Sequence, residues 1–355
     1  KPEMWDMFDT CIVDESQAVN PKEGMYSEFL AAHGNTVLGL TATPYRMHSF
    51  NDYKTGDKTV VAKFLTRTKP KSFDYIAHET SIQEMVKDNY WCPLEYIVND
   101  RYSVKDIKLN STGMDFDEKS LKEYNAQMGV MDIIKDVIKN HNRKHILVFN
   151  RFVPEAEVLS YKLRESGISS AIVSADTPAK ERAEIIKKFK SGDIRVVTNV
   201  GVLGVGFDFP ELDCVIMGRP TQSILVYYQC LGRAVRPHPN KKSALIVDVC
   251  GNVKRFGRIE SFEIVPNKDN GLPRLRSETG YLTGVDYLSG RDLETTNYEP
   301  VEMKSSYMPF GKFKGVELPK IPTWYIKWGA ENLKGSLQEK FLSEIDRRNK
   351  VNPGF

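Results

Sequence analysis

The stretch from Met131 to Val249 alternates amphipathic segments with short apolar runs, and this alternation constrains the fold more than any other feature of the sequence. Strands and helices that alternate in this way build a parallel sheet from βαβ units. The repetition continues for about 120 residues, which is enough for one doubly wound domain. The pattern predicts strands at 145–149, 170–173, 194–198, 214–217 and 243–249, and helices at 131–139, 154–166, 179–190 and 223–231.

A second, less regular α/β pattern precedes this region. Apolar runs at 8–13 and 36–40 predict two strands, with a helix between them at 25–33. The polar stretch 45–58 is interpreted as a surface loop. A further helix at 81–88 and a strand at 94–98 are expected after it.

The sequence therefore predicts an α/β chain of several domains. Its 355 residues leave room for two or three domains, since a domain commonly holds about 100–200 residues. We predict a first domain at 1–98, a linker at 99–126, a second domain at 127–266, an irregular linker at 267–302 and a small basic, α-rich domain at 303–355.

Charge and cysteine content narrow the range of partners and cellular compartments that we expect for the protein. The formal net charge is +3, which by itself indicates neither a nucleic-acid nor a membrane partner. From 303 to 355, however, 10 Lys and Arg face 5 Asp and Glu, so the basic excess lies in the tail. Five cysteines without a C-x-x-C pair argue against a disulfide framework or zinc ribbon and favour the cytoplasm. No apolar run approaches the roughly 20 residues that cross a bilayer, so no membrane partner is expected.

Two polar motifs follow the first two predicted strands. Asp14 and Glu15 come directly after one strand, where α/β sheets bind ligands. One carboxylate can hold Mg²⁺ through water while the other orients an attacking water. Taken alone, such a pair is more often a solvated turn. Thr41 and Thr43 follow the next strand, where their hydroxyls can hydrogen-bond the acids or merely end the strand before Pro44.

Two further motifs lie in the second α/β region. Glycines at 201, 204 and 206 follow the predicted strand that ends at Thr198. A phosphate or a base could approach the backbone closely at these glycines. The carboxylate of Asp208 could then accept a hydrogen bond from a ribose hydroxyl. The spacing of the glycines differs from G-x-G-x-x-G, which weakens a Rossmann-type interpretation. Gln229, Arg233 and Arg236 are spaced by four and three residues, so on a helix they would share one face. That face would bind phosphate or, alternatively, be a solvated basic surface.

The order and spacing of these motifs resemble superfamily 2 helicases and translocases. The acid pair, the Thr41 segment, the Thr198 segment and the Gln229 segment resemble motifs II, III, V and VI of that family. Ile146–Asn150 is similar to motif IV, and Val173–Ala175 with Arg182 to the motif that follows it. The resemblance covers residues 8–260. The forms of motifs III and VI are most similar to DNA-directed members of RadD-like, XPB-like and restriction-translocase type, which implies DNA repair or recombination in a bacterium or phage.

The resemblance implies two RecA-like domains that close on ATP, with Mg²⁺ as cofactor and DNA, or alternatively RNA, as partner. Asp14 would hold Mg²⁺ through water, and Glu15 would position the hydrolytic water. Arg233 and Arg236 would act as arginine fingers on the γ-phosphate. The implied ATP-binding and coupling residues are Gln17, Thr41, Thr43, Gly206, Asp208 and Gln229, and the implied nucleic-acid contacts are Thr198, Ser174 and Arg151.

One element of the family pattern is missing from the sequence. The phosphate loop G-x-x-x-x-G-K-[ST] does not occur, and the one Gly-Lys pair, Gly311-Lys312, is followed by Phe313. Because that loop precedes the acid pair in the family and the chain begins with Lys1, we expect a missing front piece and no ATPase activity from the chain alone. A non-enzymatic nucleic-acid-binding or annealing module and the motor of a restriction enzyme are the alternatives.

The tail carries a separate motif. Met308–Gly315 resembles the opening of a small domain of bacterial and phage proteins, and Trp324, Tyr325 and Trp328 follow it. Aromatic residues among basic ones are typical of single-stranded nucleic-acid binding. The interpretation we favour is that the three aromatic residues form a mini-core while lysines make the contacts. An amphipathic helix is expected at 335–348, with Leu337, Phe341, Leu342 and Ile345 on one face.

Overall fold

A computed structural model describes residues 8–20, 23–32, 36–51, 58–68, 73–98, 104, 107–110, 115–125, 129–204, 206–267, 271–285, 313, 316, 318–332 and 336–351. The chain forms two compact units, 1–293 and 294–355. Within the described ranges, no helix combines the length and apolar character that crossing a membrane requires.

The described helices and strands have the following bounds. The strands are β1 (Thr10–Val13), β2 (Thr36–Gly39), β3 (Tyr45–Asn51), β4 (Lys58–Phe64), β5 (Leu94–Val98), β6 (Ile146–Asn150), β7 (Ser170–Val173), β8 (Val196–Asn199), β9 (Cys214–Gly218), β10 (Ala244–Asp248), β11 (Glu263–Pro266), β12 (Pro273–Ser277) and β13 (Gly280–Tyr281). The helices are α1 (Met25–Ala32), α2 (Ile82–Lys87), α3 (Glu118–Asn125), α4 (Val130–Asn140), α5 (Val153–Glu165), α6 (Ala179–Ser191), α7 (Ile224–Leu231), α8 (Asn252–Phe256), α9 (Thr323–Asn332) and α10 (Ser336–Val351).

A six-stranded parallel sheet dominates the first unit. Its order is β5-β10-β9-β6-β8-β7, and every pair in it is parallel. The predicted α/β fold with a parallel sheet is confirmed. The first two strands lie elsewhere: β1 and β2 form their own parallel pair, with Val13 opposite Gly39, so the strand ends that carry the acid pair and the threonines are adjacent.

The sheet is buried on both faces. Alternate residues of β6 enter two different apolar clusters, with Leu147 and Phe149 in one and Ile146 and Val148 in the other. This is the period-two alternation of a strand whose faces are both covered. Burial on both faces explains why the first four residues of β6 are all apolar. All five residues of the strand are buried.

The region 45–98 differs from the prediction. The predicted loop at 45–58 contains β3, which pairs antiparallel with β4. The polar β3 forms because β4 supplies an apolar partner, and pairing with a neighbour overrides weak strand propensity. Tyr45 and Phe64 belong to the same buried cluster as Leu147. The predicted strand at 94–98 is β5, but it pairs with β10 at the edge of the large sheet rather than ending a separate first domain.

Both predicted linkers contain ordered structure. In the first, Leu109 bridges to Phe116, and α3 follows. Phe116 and Leu121 are fully buried beside Phe152, so this segment is docked on the domain. The apolar residues of this segment are too few to show a helix or strand period, so its docking could not be predicted from the sequence. In the second, β12 and β13 extend the antiparallel sheet that begins with β11.

The second unit contains two described helices around a small core. The helix predicted at 335–348 is α10. Phe341 is fully buried and Ile345 packs against the core, but Leu342 is 47% exposed, so the prediction that it shares the buried face is wrong. Leu342 is next to Phe341 in sequence, about 100° round the helix, and points away from it. Leu337 lies outside the residues whose side chains are described.

A buried carboxylate at the end of β10 predicts a pH-dependent stability. Asp248 is fully buried and accepts hydrogen bonds from the backbone N–H groups of Cys250 and Val253. Burial raises its pKa from 3.8 to about 6, although these hydrogen bonds oppose the shift. The folded state therefore binds this proton more tightly than the unfolded state. The contribution of Asp248 to stability is fully present below pH 3.8 and is lost as the pH rises through about 6.

We expect the free energy of unfolding of wild type to lose up to about 3 kcal/mol from this group between pH 4 and 7. Asp248→Asn should remove that slope, which urea unfolding at a series of pH values measures. The exposed Asp193→Asn is the matched control and should keep the wild-type slope. A difference between wild type and Asp248→Asn that is constant with pH would contradict the assignment.

Candidate active site

The acid pair lies in the turn that ends β1. Asp14 and Glu15 are both exposed, and the Glu15 N–H donates to Asp14 Oδ1 over 2.9 Å. Glu15 has a φ of 50°, in the left-handed region that residues with a Cβ rarely adopt. Such backbone strain, which costs of order 1–3 kcal/mol, is concentrated at functional sites.

A chain of hydrogen bonds connects the acid pair to the end of β2. Gln17 Nε2 donates to Glu15 Oε2, and Gln17 Oε1 accepts from the Thr41 hydroxyl. The Thr41 oxygen in turn accepts from the N–H of the buried Thr43 over 2.9 Å. Gln17 thus uses both ends of its amide to join the two predicted motifs. The structure brings together Glu15, Gln17, Thr41 and Thr43 as the sequence predicts.

The Gln17 link is tested by Gln17→Leu, which keeps the side-chain volume and removes both hydrogen bonds. In a chain to which a phosphate-loop segment has been added ahead of Lys1, we expect Gln17→Leu to weaken the coupling between the two motifs, seen as a smaller stimulation of ATP turnover by nucleic acid. Gln17→His should retain most of the stimulation, because a ring nitrogen can replace the amide. Equal stimulation in Gln17→Leu and wild type would show that this link carries no coupling.

The loop after β8 brings Asp208 to the arginine segment. Gly206 has a φ of 70°, which a glycine adopts without strain, and the exposed Asp208 follows two residues later. The Asp208 carboxylate forms an ion pair with Arg236, and both side chains are more than half exposed. An exposed ion pair is worth at most about 1 kcal/mol, so Arg236 can exchange this partner for another anion at little cost.

Arg233 is the more rigidly held of the two arginines. Its Nε donates to the Gln229 carbonyl over 3.2 Å and its Nη1 to the Phe207 carbonyl over 3.0 Å. Burial lowers the pKa of Arg233 and the charge of Arg236 lowers it further, while the carboxylates of Glu15 and Asp208 act in the opposite direction. The charge of Glu15 thus acts on Arg233, although 218 positions separate them in sequence.

The predicted shared helix face does not form. Gln229 lies on α7, but that helix ends at Leu231, and Arg233 and Arg236 lie beyond it. Arg236 precedes Pro237, which disfavours helical backbone at Arg236. The two arginines instead lie in the turn that follows the helix. Arg233 is hydrogen-bonded to backbone carbonyls there, and Arg236 is exposed.

Two predicted nucleic-acid contacts lie inside the protein. Thr198 is fully buried, and its hydroxyl donates to the carbonyls of Ala156 and Ala171. It cannot reach a bound strand in this conformation, so this prediction is corrected: the hydroxyl joins α5 to the sheet. Ser174 is 4% exposed, and its N–H donates to the Thr177 hydroxyl within a tight turn.

The third predicted contact, Arg151, belongs to a cluster that the sequence did not reveal. Asp115 pairs with Arg151 over 3.2 Å and with Arg219 over 3.4 Å, and it accepts from the N–H of Gln222. Arg151 and Arg219 directly follow β6 and β9, so the rule that ligands lie at the carboxyl ends of strands could have identified Arg219. Asp115 is 104 residues away from Arg219 in sequence, and no spacing signals it.

The acid pair suits a magnesium ion only together with a nucleotide. Among the described residues, no group of three or more His, Cys, Asp or Glu side chains could hold a metal. Mg²⁺ in phosphate-transfer sites is held by one or two carboxylates, water and the phosphates of the substrate. The exposed Asp14, which has one oxygen bonded to the Glu15 N–H, fits that requirement.

Comparison with known proteins identifies two regions of the chain. The profile described as "Helicase conserved C-terminal domain" matches residues 129–238, from the start of α4 to just past the two arginines. A second profile, described as "Putative quorum-sensing-regulated virulence factor", matches residues 299–336. The second match coincides with the tail motif and with α9.

Curated relatives are similar over most of this chain. The "Putative ATP-dependent helicase IRC3" of Saccharomyces cerevisiae is 27% identical over 253 residues, which cover 68% of this chain and 34% of the relative. "Putative helicase 22" of a Sulfolobus islandicus filamentous virus is 26% identical and covers 74% of this chain and 46% of the relative. This chain thus spans less than half the length of either protein.

A solved structure shares the fold. The fragment of a putative HsdR subunit of a type I restriction enzyme from Vibrio vulnificus has a TM-score of 0.50 at 16% identity, over 72% of this chain and 47% of that one. The predicted similarity to superfamily 2 helicases is confirmed, and residues 129–238 match the helicase conserved C-terminal domain.

Proposed function

We propose that this chain supplies part of an ATP-dependent motor that moves along DNA. The observation that carries the proposal is the arrangement of the two motifs: a hydrogen-bonded path runs from Glu15 through Gln17 to Thr41, and two backbone carbonyls hold Arg233. An acid that orients water and an arginine that meets the transferred phosphate are the two opposed groups that phosphoryl transfer requires.

The proposed mechanism assigns one task to each group. Asp14 holds Mg²⁺ through water, and the ion would neutralise charge on the nucleotide phosphates. Glu15 accepts a hydrogen bond from the attacking water and aligns it with the phosphorus. Arg233 and Arg236 contact the γ-phosphate, and Arg236 leaves Asp208 to do so. Asp208 is then free to accept from a ribose hydroxyl.

In the proposed mechanism, the hydrogen bonds that lead from Glu15 to the end of β2 couple the nucleotide to movement along DNA. Glu15, Gln17 and Thr41 form one continuous path. A change in what Glu15 binds therefore alters the hydrogen bonds at the end of β2. Contacts to the phosphate backbone give grip without base recognition, and their strength falls steeply with salt.

The experiment compares this chain with an extended chain, to which a segment that carries the phosphate loop G-x-x-x-x-G-K-[ST] is added ahead of Lys1. We expect ATP turnover stimulated by DNA in the extended chain, and a loss of at least about a hundredfold in Glu15→Gln, since a positioned acid–base group contributes about 10²–10⁴-fold. DNA and RNA of the same length, compared directly, test the preferred partner. Equal turnover in Glu15→Gln and wild type would overturn the proposal.

A non-enzymatic nucleic-acid-binding module is the second candidate. The absence of G-x-x-x-x-G-K-[ST] from the sequence favours it. It predicts DNA binding that does not respond to ATP or to Glu15→Gln in either form of the chain.

A further inference from the structure

The core of the second unit is complete without its tryptophans. The residues buried in it are Leu318, Ile321, Ile326, Ala330 and Phe341. Helices α9 and α10 meet at Gly329, where an added Cβ would lie 2.7 Å from the Phe341 ring. Arg348 connects α10 to the segment that precedes α9, because its guanidinium donates to the carbonyls of Leu318 and Ile321. Of the three residues predicted to form a mini-core, Tyr325 packs against this core, whereas Trp324 and Trp328 do not belong to it.

The two tryptophans instead lie on the surface. Trp324 is 60% exposed and Trp328 43% exposed, and they are one turn apart on α9. The Tyr325 ring lies 5.5 Å from the Trp324 ring and 5.3 Å from the Trp328 ring. Phe313 adds a fourth ring, 4.8 Å from that of Tyr325. We call these four residues the aromatic surface.

A basic side chain lies beside the aromatic surface, in a stretch of the sequence that is basic as a whole. Lys327 is exposed and shares the helix face of Trp324 and Trp328, while Glu331 follows one turn later. From 303 to 355 the sequence has twice as many basic as acidic residues. A purely apolar partner would not form favourable interactions with this excess of basic residues. A single strand offers both unstacked bases for the rings and phosphates for the lysines.

We propose that the aromatic surface binds single-stranded nucleic acid, with bases stacked on Trp324 and Trp328 and the backbone beside Lys327. A duplex is excluded as the preferred ligand because its bases are already stacked on one another. The inference concerns a unit distinct from the ATPase motifs, so it can fail while the proposed function holds, and the reverse.

The test measures binding of the whole chain to an oligothymidylate and to a blunt duplex of equal length, at fixed and at varied salt. Trp324→Ala with Trp328→Ala should lower oligothymidylate affinity by about fivefold to a hundredfold for each ring, the range that loss of one stacked base gives. Duplex affinity should change less than twofold. Lys327→Gln should instead reduce the slope of log affinity against log salt by about one.

Two controls keep the result interpretable. Trp324→Phe with Trp328→Phe retains flat rings and should recover most of the oligothymidylate affinity. Leu342→Ala removes an exposed apolar side chain of α10 outside the aromatic surface and should leave affinity unchanged. Unchanged oligothymidylate affinity in the double alanine variant overturns the proposal. So does a loss of self-association in that variant without a loss of nucleic-acid binding, since the surface would then join copies of this chain.

Discussion

Replacing Arg233 by alanine in the extended chain is expected to lower DNA-stimulated ATP turnover by about 10³–10⁵-fold, the range for an arginine finger. Arg233 is held by two backbone carbonyls, so its guanidinium is already oriented before a nucleotide arrives. Pre-orientation matters because the transition state gains the charge interaction without the cost of ordering a long side chain. Steady-state ATP hydrolysis at saturating DNA measures the effect.

Arg233→Lys and Arg258→Ala are the matched variants. Lysine keeps the charge but not the planar fork that meets phosphate oxygens in pairs, so Arg233→Lys should recover only a small part of the activity. Arg258 is 60% exposed and faces Glu278, so its loss should leave turnover unchanged. If Arg233→Ala and Arg258→Ala behave alike, Arg233 has no part in catalysis.

Phe116→Ala is expected to lower the free energy of unfolding by about 3–5 kcal/mol, the usual cost of truncating a buried phenylalanine. The ring is fully buried against Ile107, Leu121 and Phe152, and the Arg255 guanidinium lies 5.5 Å from its centroid. Truncation removes the anchor of the segment between β5 and α4. Urea unfolding of the whole chain at constant pH measures the loss.

Tyr161→Ala removes an aromatic ring of similar size at a site that is 57% exposed, and should cost less than about 0.5 kcal/mol. Phe116→Leu should lie between the two. A change in Phe116→Ala as small as in Tyr161→Ala would mean that this segment does not contribute to the folded state.

The regular part of the fold could be predicted from the sequence, because buried strands such as β6 are uninterrupted apolar runs and helices such as α6 separate them. The partner of β5 could not, since its pairing with β10 joins residues 150 positions apart in sequence, such as Leu94 and Ala244. The hairpin of β3 and β4 was missed for a related reason. The sequence of β3 is polar, and only its neighbour makes it a strand.

The candidate site was predictable where residue type and strand ends decide the chemistry. Asp14, Glu15 and Thr41 lie at such ends, and the structure places them on the surface or in one hydrogen-bonded path. Side-chain direction was not predictable. Thr198 lies near the end of β8, yet its hydroxyl points into the protein and donates to the Ala156 carbonyl.

The short connection between β2 and β3 has a mechanical consequence. The acid pair is carried by β1, which pairs only with β2 among the described strands, whereas Tyr45 at the start of β3 is packed into the apolar cluster of the large sheet. Residues 40–44 are therefore the backbone connection that leads from the sheet of β1 and β2 to β3. Thr41 and Thr43 stiffen it by their mutual hydrogen bond, and Pro44 fixes one torsion. In the proposed motor, a force that arises at the acid pair would pass along the backbone through these five residues, so the stiffness of this connection would limit the force that one nucleotide transmits.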